Sequence, residues 1–113
     1  MHELAICESL LGVIEEQAKA QDFRRVTRVR LEIGPFAGVE VEALRFGFDV
    51  VTKGSLAEDA ALEIIGTEGK AWCFDCNEAA ALADRLQGCP RCGGFHLQVT
   101  GGKELRIKDL EVE

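Results

Sequence analysis

A chain of 113 residues has room for one ordinary domain, or for a modest core beside a small module that needs its own staple. With 47% apolar residues it is globular rather than disordered, and a net charge of -7 makes it a poor partner for nucleic acid, whose binding runs on lysine and arginine. No window reaches the roughly 18 uninterrupted apolar residues a membrane span needs, and no basic start runs into an apolar stretch as a secretory signal would, so a soluble cytoplasmic protein is expected.

From Leu4 to about Ala20, the residues Leu4, Cys7, Leu11, Ile14 and Ala18 recur at spacings of three and four, with Glu15, Glu16 and Lys19 opposite. That is an amphipathic helix beginning almost at the terminus. In VTRVRLEI, Val29, Leu31 and Ile33 alternate with Arg28, Arg30 and Glu32, the mark of a strand with one wet face, and Gly34 and Pro35 stop it. Val41, Leu44, Phe48 and Val51 place a second helix between Glu40 and about Lys53, although Gly47 inside it costs about 1 kcal/mol of propensity relative to alanine. ALEIIG supplies a short strand. Phe95, Leu97 and Val99, then Leu105 and Ile107, alternate around the turn at Gly101 and Gly102; the parity slips before Leu110 and Val112, which calls for a bulge near Lys108 and Asp109.

The expected class is α+β: two helices packed on a small, about three-stranded mixed sheet, with an inserted zinc-ribbon-like module. The main domain takes residues 1–69 with 103–113, and the module takes 70–102. The aromatic pair Phe46 and Phe48 is expected in the core, and Cys7, on the apolar stripe, is expected to be a core thiol.

Five cysteines in a cytosolic chain read as metal ligands before disulfides, since that compartment keeps thiols reduced. Four of them form Cys73-x2-Cys76-x12-Cys89-x2-Cys92, close to the four-thiolate zinc pattern. Each C-x-x-C turn presents two sulfurs to one ion, and two such turns close a tetrahedron. Asn77 and Gly93, one residue after each pair, are types that tolerate the positive φ such a turn often requires. With four protein ligands no position is left for water, so the site is structural rather than catalytic. Basic residues in the module are few, chiefly Lys70, Arg85 and Arg91.

The opening MHELAIC poses a second metal question. A zinc-protease helix needs H-E-x-x-H, and the place of the second histidine is taken by Ile6. What remains is a histidine beside the chain start. The Met1 amine, the His2 amide and the His2 ring can chelate one ion in fused rings, and strong equatorial nitrogens favour tetragonal or square-planar Cu(II) or Ni(II) over tetrahedral zinc. Amines and imidazoles have reference pKa values of about 7.7–8.0 and about 6.5, so ions held this way should be lost as pH falls towards 6.

The order of these features, MHE, then LEIGPFAGVEVEALRFGFDVVTKG, then C-x2-C and C-P-x-C-G, then GKELRI, resembles the HypA/HybF family of nickel-insertion proteins over essentially the whole chain. The resemblance implies a nickel-binding α/β domain, a structural zinc domain, and a carrier that passes Ni(II) to the hydrogenase large-subunit precursor with help from the GTPase HypB. It places nickel at Met1, His2 and Glu3 and zinc at Cys73, Cys76, Cys89 and Cys92. It also marks Glu40 and His96 as further candidate nickel ligands, against a helix-start carboxylate and a surface histidine. A homodimer is compatible with it. Two other readings stand beside it. One is a zinc-ribbon interaction module with no transported metal, and the other is a metallohydrolase using His2 and Glu3, which lacks a second histidine and any nucleophile paired with a base.

Overall fold

The computed structural model describes residues 2–84 and 86–113. In chain order it has α1 (His2–Gln21), β1 (Val26–Ile33), α2 (Val41–Val51), β2 (Ala61–Gly66), β3 (Gly69–Cys73), β4 (Glu78–Leu82), β5 (Leu97–Gly101) and β6 (Leu105–Val112). They build two three-stranded sheets, ordered β2-β1-β6 and β4-β3-β5. The first is mixed. The Glu113 N–H donates to the Arg25 carbonyl and the Gly34 N–H to Glu104, so β6 runs against β1, whereas the Thr67 N–H reaches Ile33, so β2 runs with it. The class expected from the sequence is the one found. The chain divides into two compact units, one of residues 1–31, 39–63 and 107–113 and the other of 32–38 and 64–106.

In the first unit the apolar stripes are buried at Cys7 and Ile14 of α1 and at Leu44 and Phe48 of α2; Leu10 is buried where the sequence put Leu11, which is half-buried, and Gly47 is buried beside Phe48. The two helices pack together. Gly47 is explained by that packing: a Cβ there would lie 3.2 Å from the Cys7 sulfur and 3.7 Å from the Leu4 Cα, so the helix gives up propensity for close approach. Cys7 is a core thiol. It donates to the Leu44 carbonyl at 3.3 Å, and burial pushes its pKa up, which keeps it neutral. Phe48 is buried, but Phe46 is 73% exposed, which corrects the expectation that both fill the core. Only one of two residues spaced by two can face inward on a helix.

The second unit has a smaller apolar centre of Phe36, Ala71 and Leu82, with Leu97 and Val99 packed against it. Gly69 and Gly102 flank the Phe36 ring, where added Cβ atoms would stand 2.7 and 2.8 Å from its carbons. The Phe36 N–H donates to the Gly102 carbonyl at 2.7 Å, while the Glu104 carboxylate accepts from the Gly102 N–H at 3.0 Å and the Thr67 hydroxyl at 2.9 Å. β3 and β4, both absent from the sequence reading, form an antiparallel hairpin in which Cys73 faces Glu78. β5 pairs with the other edge of β3. Phe95 is 72% exposed and precedes β5 rather than alternating into it, and His96 likewise stands before the strand.

Candidate metal centre

The first C-x-x-C pair is the turn of the β3–β4 hairpin. Cys73 ends β3, Cys76 lies in the turn, and the Cys76 N–H donates to the Cys73 sulfur at 3.4 Å. Asn77 leaves the turn with φ 54°. The second pair lies between β4 and β5 in a tight loop: Gly93 N–H donates to the Cys89 carbonyl at 2.7 Å and Cys89 N–H to the Gly94 carbonyl at 2.8 Å. Gly93 has φ 73°. Both left-handed positions are the ones the spacing pointed to.

These two turns bring all four sulfurs within 4.8 Å of one another, with Cys73 to Cys92 at 3.7 Å and Cys76 to Cys89 at 3.9 Å. A tetrahedral ion with bonds of about 2.3 Å needs sulfurs about 3.8 Å apart, so the residues fit such an ion. Four thiols this close cannot all ionise unaided. Hydrogen bonding to the sulfurs of Cys92 and Cys73 pushes the Cys76 thiol up to about 12, while backbone hydrogen bonds from Cys92 and Arg91 bring Cys89 down to about 7. A dication at the centre removes the conflict and displaces the thiol protons. The outer rim carries an Arg91–Glu78 ion pair.

Met1 lies outside the described residues. His2, the first residue of α1, is exposed; Glu3 is half-buried. Glu3 Oε2 accepts the Glu40 N–H at 3.3 Å. Glu40 is the N-cap of α2, the helix-start position expected for it, where a carboxylate favours the positive end of the dipole; its side chain makes no capping hydrogen bond. The first turn of α1 is thus tied to the start of α2, and among the described residues no hydrogen bond or ion pair holds the Glu40 carboxylate. That backbone bond holds the Glu3 carboxyl below its ordinary value of 4.5, with smaller help from its own N–H and the neighbouring His2. His96 belongs to the second unit. There its Nδ1 stands 3.5 Å from Asp75 Oδ1 and its ring lies against Phe74, with centroids 4.8 Å apart.

The sequence pattern described as "Hydrogenase/urease nickel incorporation, metallochaperone, hypA" matches residues 1–112. The chain belongs to the HypA family. The hydrogenase maturation factors HypA of Xanthobacter autotrophicus and Azorhizobium caulinodans are similar to it, 65% and 67% identical over 112 residues, 99% of this chain and 99% of each relative. The solution structure of the nickel metallochaperone HypA from Helicobacter pylori superposes with a TM-score of 0.70 at 27% identity, covering 97% of this chain and 96% of that one. As a HypA-family protein, the chain is a nickel metallochaperone of hydrogenase maturation, a maturation factor and not an enzyme. Its four cysteines form a site for a structural metal such as zinc. Among the described residues no helix is long and apolar enough to cross a membrane.

The family assignment sets aside the hydrolase reading and the interaction module without cargo. Sequence reasoning missed one element of the site: the Glu3–Glu40 bond. A carboxylate at the second position of a helix gives no hint of a partner 37 residues away.

Proposed function

We propose that the Met1 amine, the amide and ring of His2, and Glu3 bind Ni(II), with Glu40 as a further donor at the same place. Glu3 binds from the carboxylate edge its hydrogen bond leaves open. The observation that supports this is the Glu40 N–H on Glu3 Oε2, because it brings the backbone of residue 40 against the Glu3 carboxylate at the start of α1, one residue after His2. Nitrogen donors of this kind suit a carrier, since they can be removed one at a time by a receiving site or by protons.

On this reading the division of labour is a nickel-binding part, 1–69 with 103–113, and a structural part, 70–102, whose thiolates hold Zn(II). The ion is passed in the cytoplasm to the large-subunit precursor of a NiFe-hydrogenase, with a HypB-type GTPase as helper. The test is a nickel titration of the untagged chain, of His2→Ala, and of a chain extended by one residue before Met1. Both altered chains should lose nickel while keeping zinc and fold. Equal nickel affinity in all three would place the cargo elsewhere.

A further inference from the structure

β6 is an edge strand: among the described residues it pairs with β1 on one side and has no strand on the other. Beside it runs a groove of about 350 Å³, lined by Val13, Gln17 and Phe23 from one side and Leu110 and Val112 from the strand. Val13 and Val112 are 47% and 43% exposed, so this groove is open and partly apolar. Soluble proteins usually block such edges with charge, and Lys108 and Asp109 sit at the middle of this one.

Those charges block a foreign strand but match the strand itself. In LRIKDLEV, an antiparallel copy centred between Lys108 and Asp109 sets Leu105 opposite Val112, Arg106 opposite Glu111, Ile107 opposite Leu110 and Lys108 opposite Asp109. Every apolar residue meets an apolar one and every charge meets its opposite. Sliding the copy by one residue either way puts Lys108 against Lys108 or Asp109 against Asp109, and sliding by two puts Ile107 against Lys108 or Asp109 against Leu110.

A two-fold axis normal to a sheet sets residues of the same face opposite each other, which in an unbroken strand forbids this register. Here the burial parity slips. Lys108 and Asp109 are both exposed while Ile107 and Leu110 are both half-buried, so the register becomes available. The four charges of the strand sum to zero on a chain of net charge -7, so the strand itself adds no net repulsion when two copies meet here. Asp109 and Glu111 already bind Arg30, at 2.8 and 2.7 Å, and Arg106 binds Glu32 at 2.9 Å. Lys108 is the strand charge without an ion-pair partner among the described residues.

We propose that β6 is a self-association edge, occupied by the β6 of a second copy in the register that pairs Lys108 with the other copy's Asp109. The test is sedimentation equilibrium of the full zinc-loaded chain, across micromolar to millimolar concentration, for the wild type, Lys108→Glu, Asp109→Lys and an equimolar mixture of the two variants. Each variant alone opposes like charges and should self-associate about tenfold or more weakly, whereas the mixture restores opposite pairs and should associate like the wild type. Zinc content and circular dichroism report folding of each variant. Should Asp109→Lys fold poorly through loss of its Arg30 contact, zero-length carbodiimide coupling of mixed light and heavy wild-type chains gives an independent readout, a hybrid Lys108–Asp109 cross-link. A monomeric wild type, unchanged single variants, a mixture no tighter than its components, or hybrid chains lacking that cross-link would each overturn the proposal.

Discussion

The two units solve the problem of a stable core in different ways. The first buries Cys7, Leu10, Ile14, Val26, Val29, Leu31, Leu44 and Phe48, a conventional apolar interior closed by two helices. The second has Phe36, Ala71 and Leu82 at its centre and two knuckles of thiols at its end, and its outer strand is a run of alanines. Apolar burial at about 25 cal/mol per Å2 can hold the first; the second has too few large side chains and relies on metal. A carrier gains from this arrangement. A structural ion held among the four thiolates would leave only with unfolding of that unit, whereas cargo on nitrogen donors at a helix start, as proposed, would be released at no cost to a core.

The largest effect that separates the units is metal removal. Structural zinc contributes roughly 10–16 kcal/mol of apparent affinity in small modules, so a strong chelator, or Cys73→Ser with Cys76→Ser, should abolish the β3–β4–β5 sheet. Amide exchange should show fast exchange over residues 69–101 with α1 and α2 still protected. Simultaneous loss of both units would mean that one cooperative core spans them.

Next comes Phe48→Ala, which empties the first unit's largest fully buried side chain. A loss of about 3–5 kcal/mol is expected, measured by denaturant unfolding, with zinc content unchanged. Smaller again is Gly69→Ala in the second unit. Its Cβ would press on the Leu82 backbone carbonyl across the β3–β4 pair and stand 2.7 Å from the Phe36 ring, an overpacking that should cost about 1–3 kcal/mol and register as lower thermal stability in the zinc-loaded protein.

How much of this could be read in advance differs between the units for the same reason. α1, β1, α2 and β2 were legible because large apolar residues at spacings of three to four, or two, write each element's buried face into the chain. The metal centre was legible because a C-x-x-C knuckle is local, down to the positive φ of Asn77 and Gly93. β3 and β4 were not. Glu78–Leu82 reads EAAAL, and alanine carries neither strand propensity nor a face, so its pairing comes from the hairpin turn and the thiol knuckle rather than from its own side chains. Phe46 and Phe95 misled because aromatic residues signal burial by type, while Phe46 stands on the outward side of α2 and Phe95 lies before β5 rather than in it. In β6 the expected slip shows as two consecutive exposed residues, Lys108 and Asp109, after which Leu110 is half-buried while Val112 stays exposed.

The smallest effect tests the tie at the other end of the contrast, where a single carboxylate rather than a metal holds a helix start in place. Glu3 has its pKa lowered from 4.5, chiefly by the Glu40 N–H, so the bond's contribution is complete above that ordinary value and fades as pH falls through the lower folded one. The group is only half-buried and the bond at 3.3 Å is long, so global unfolding would hardly register it. The Glu40 amide proton would. Its chemical shift should titrate with an apparent pKa below 4.5 in the wild type and lose that titration in Glu3→Gln, while the Cys76 and Cys89 amides respond separately when the thiolates protonate and release their ion. A Glu40 amide that titrates at the ordinary carboxylate value, or together with the cysteine amides, would mean that the start of α1 is not held by Glu3 and that the nickel ligands are not pre-assembled there.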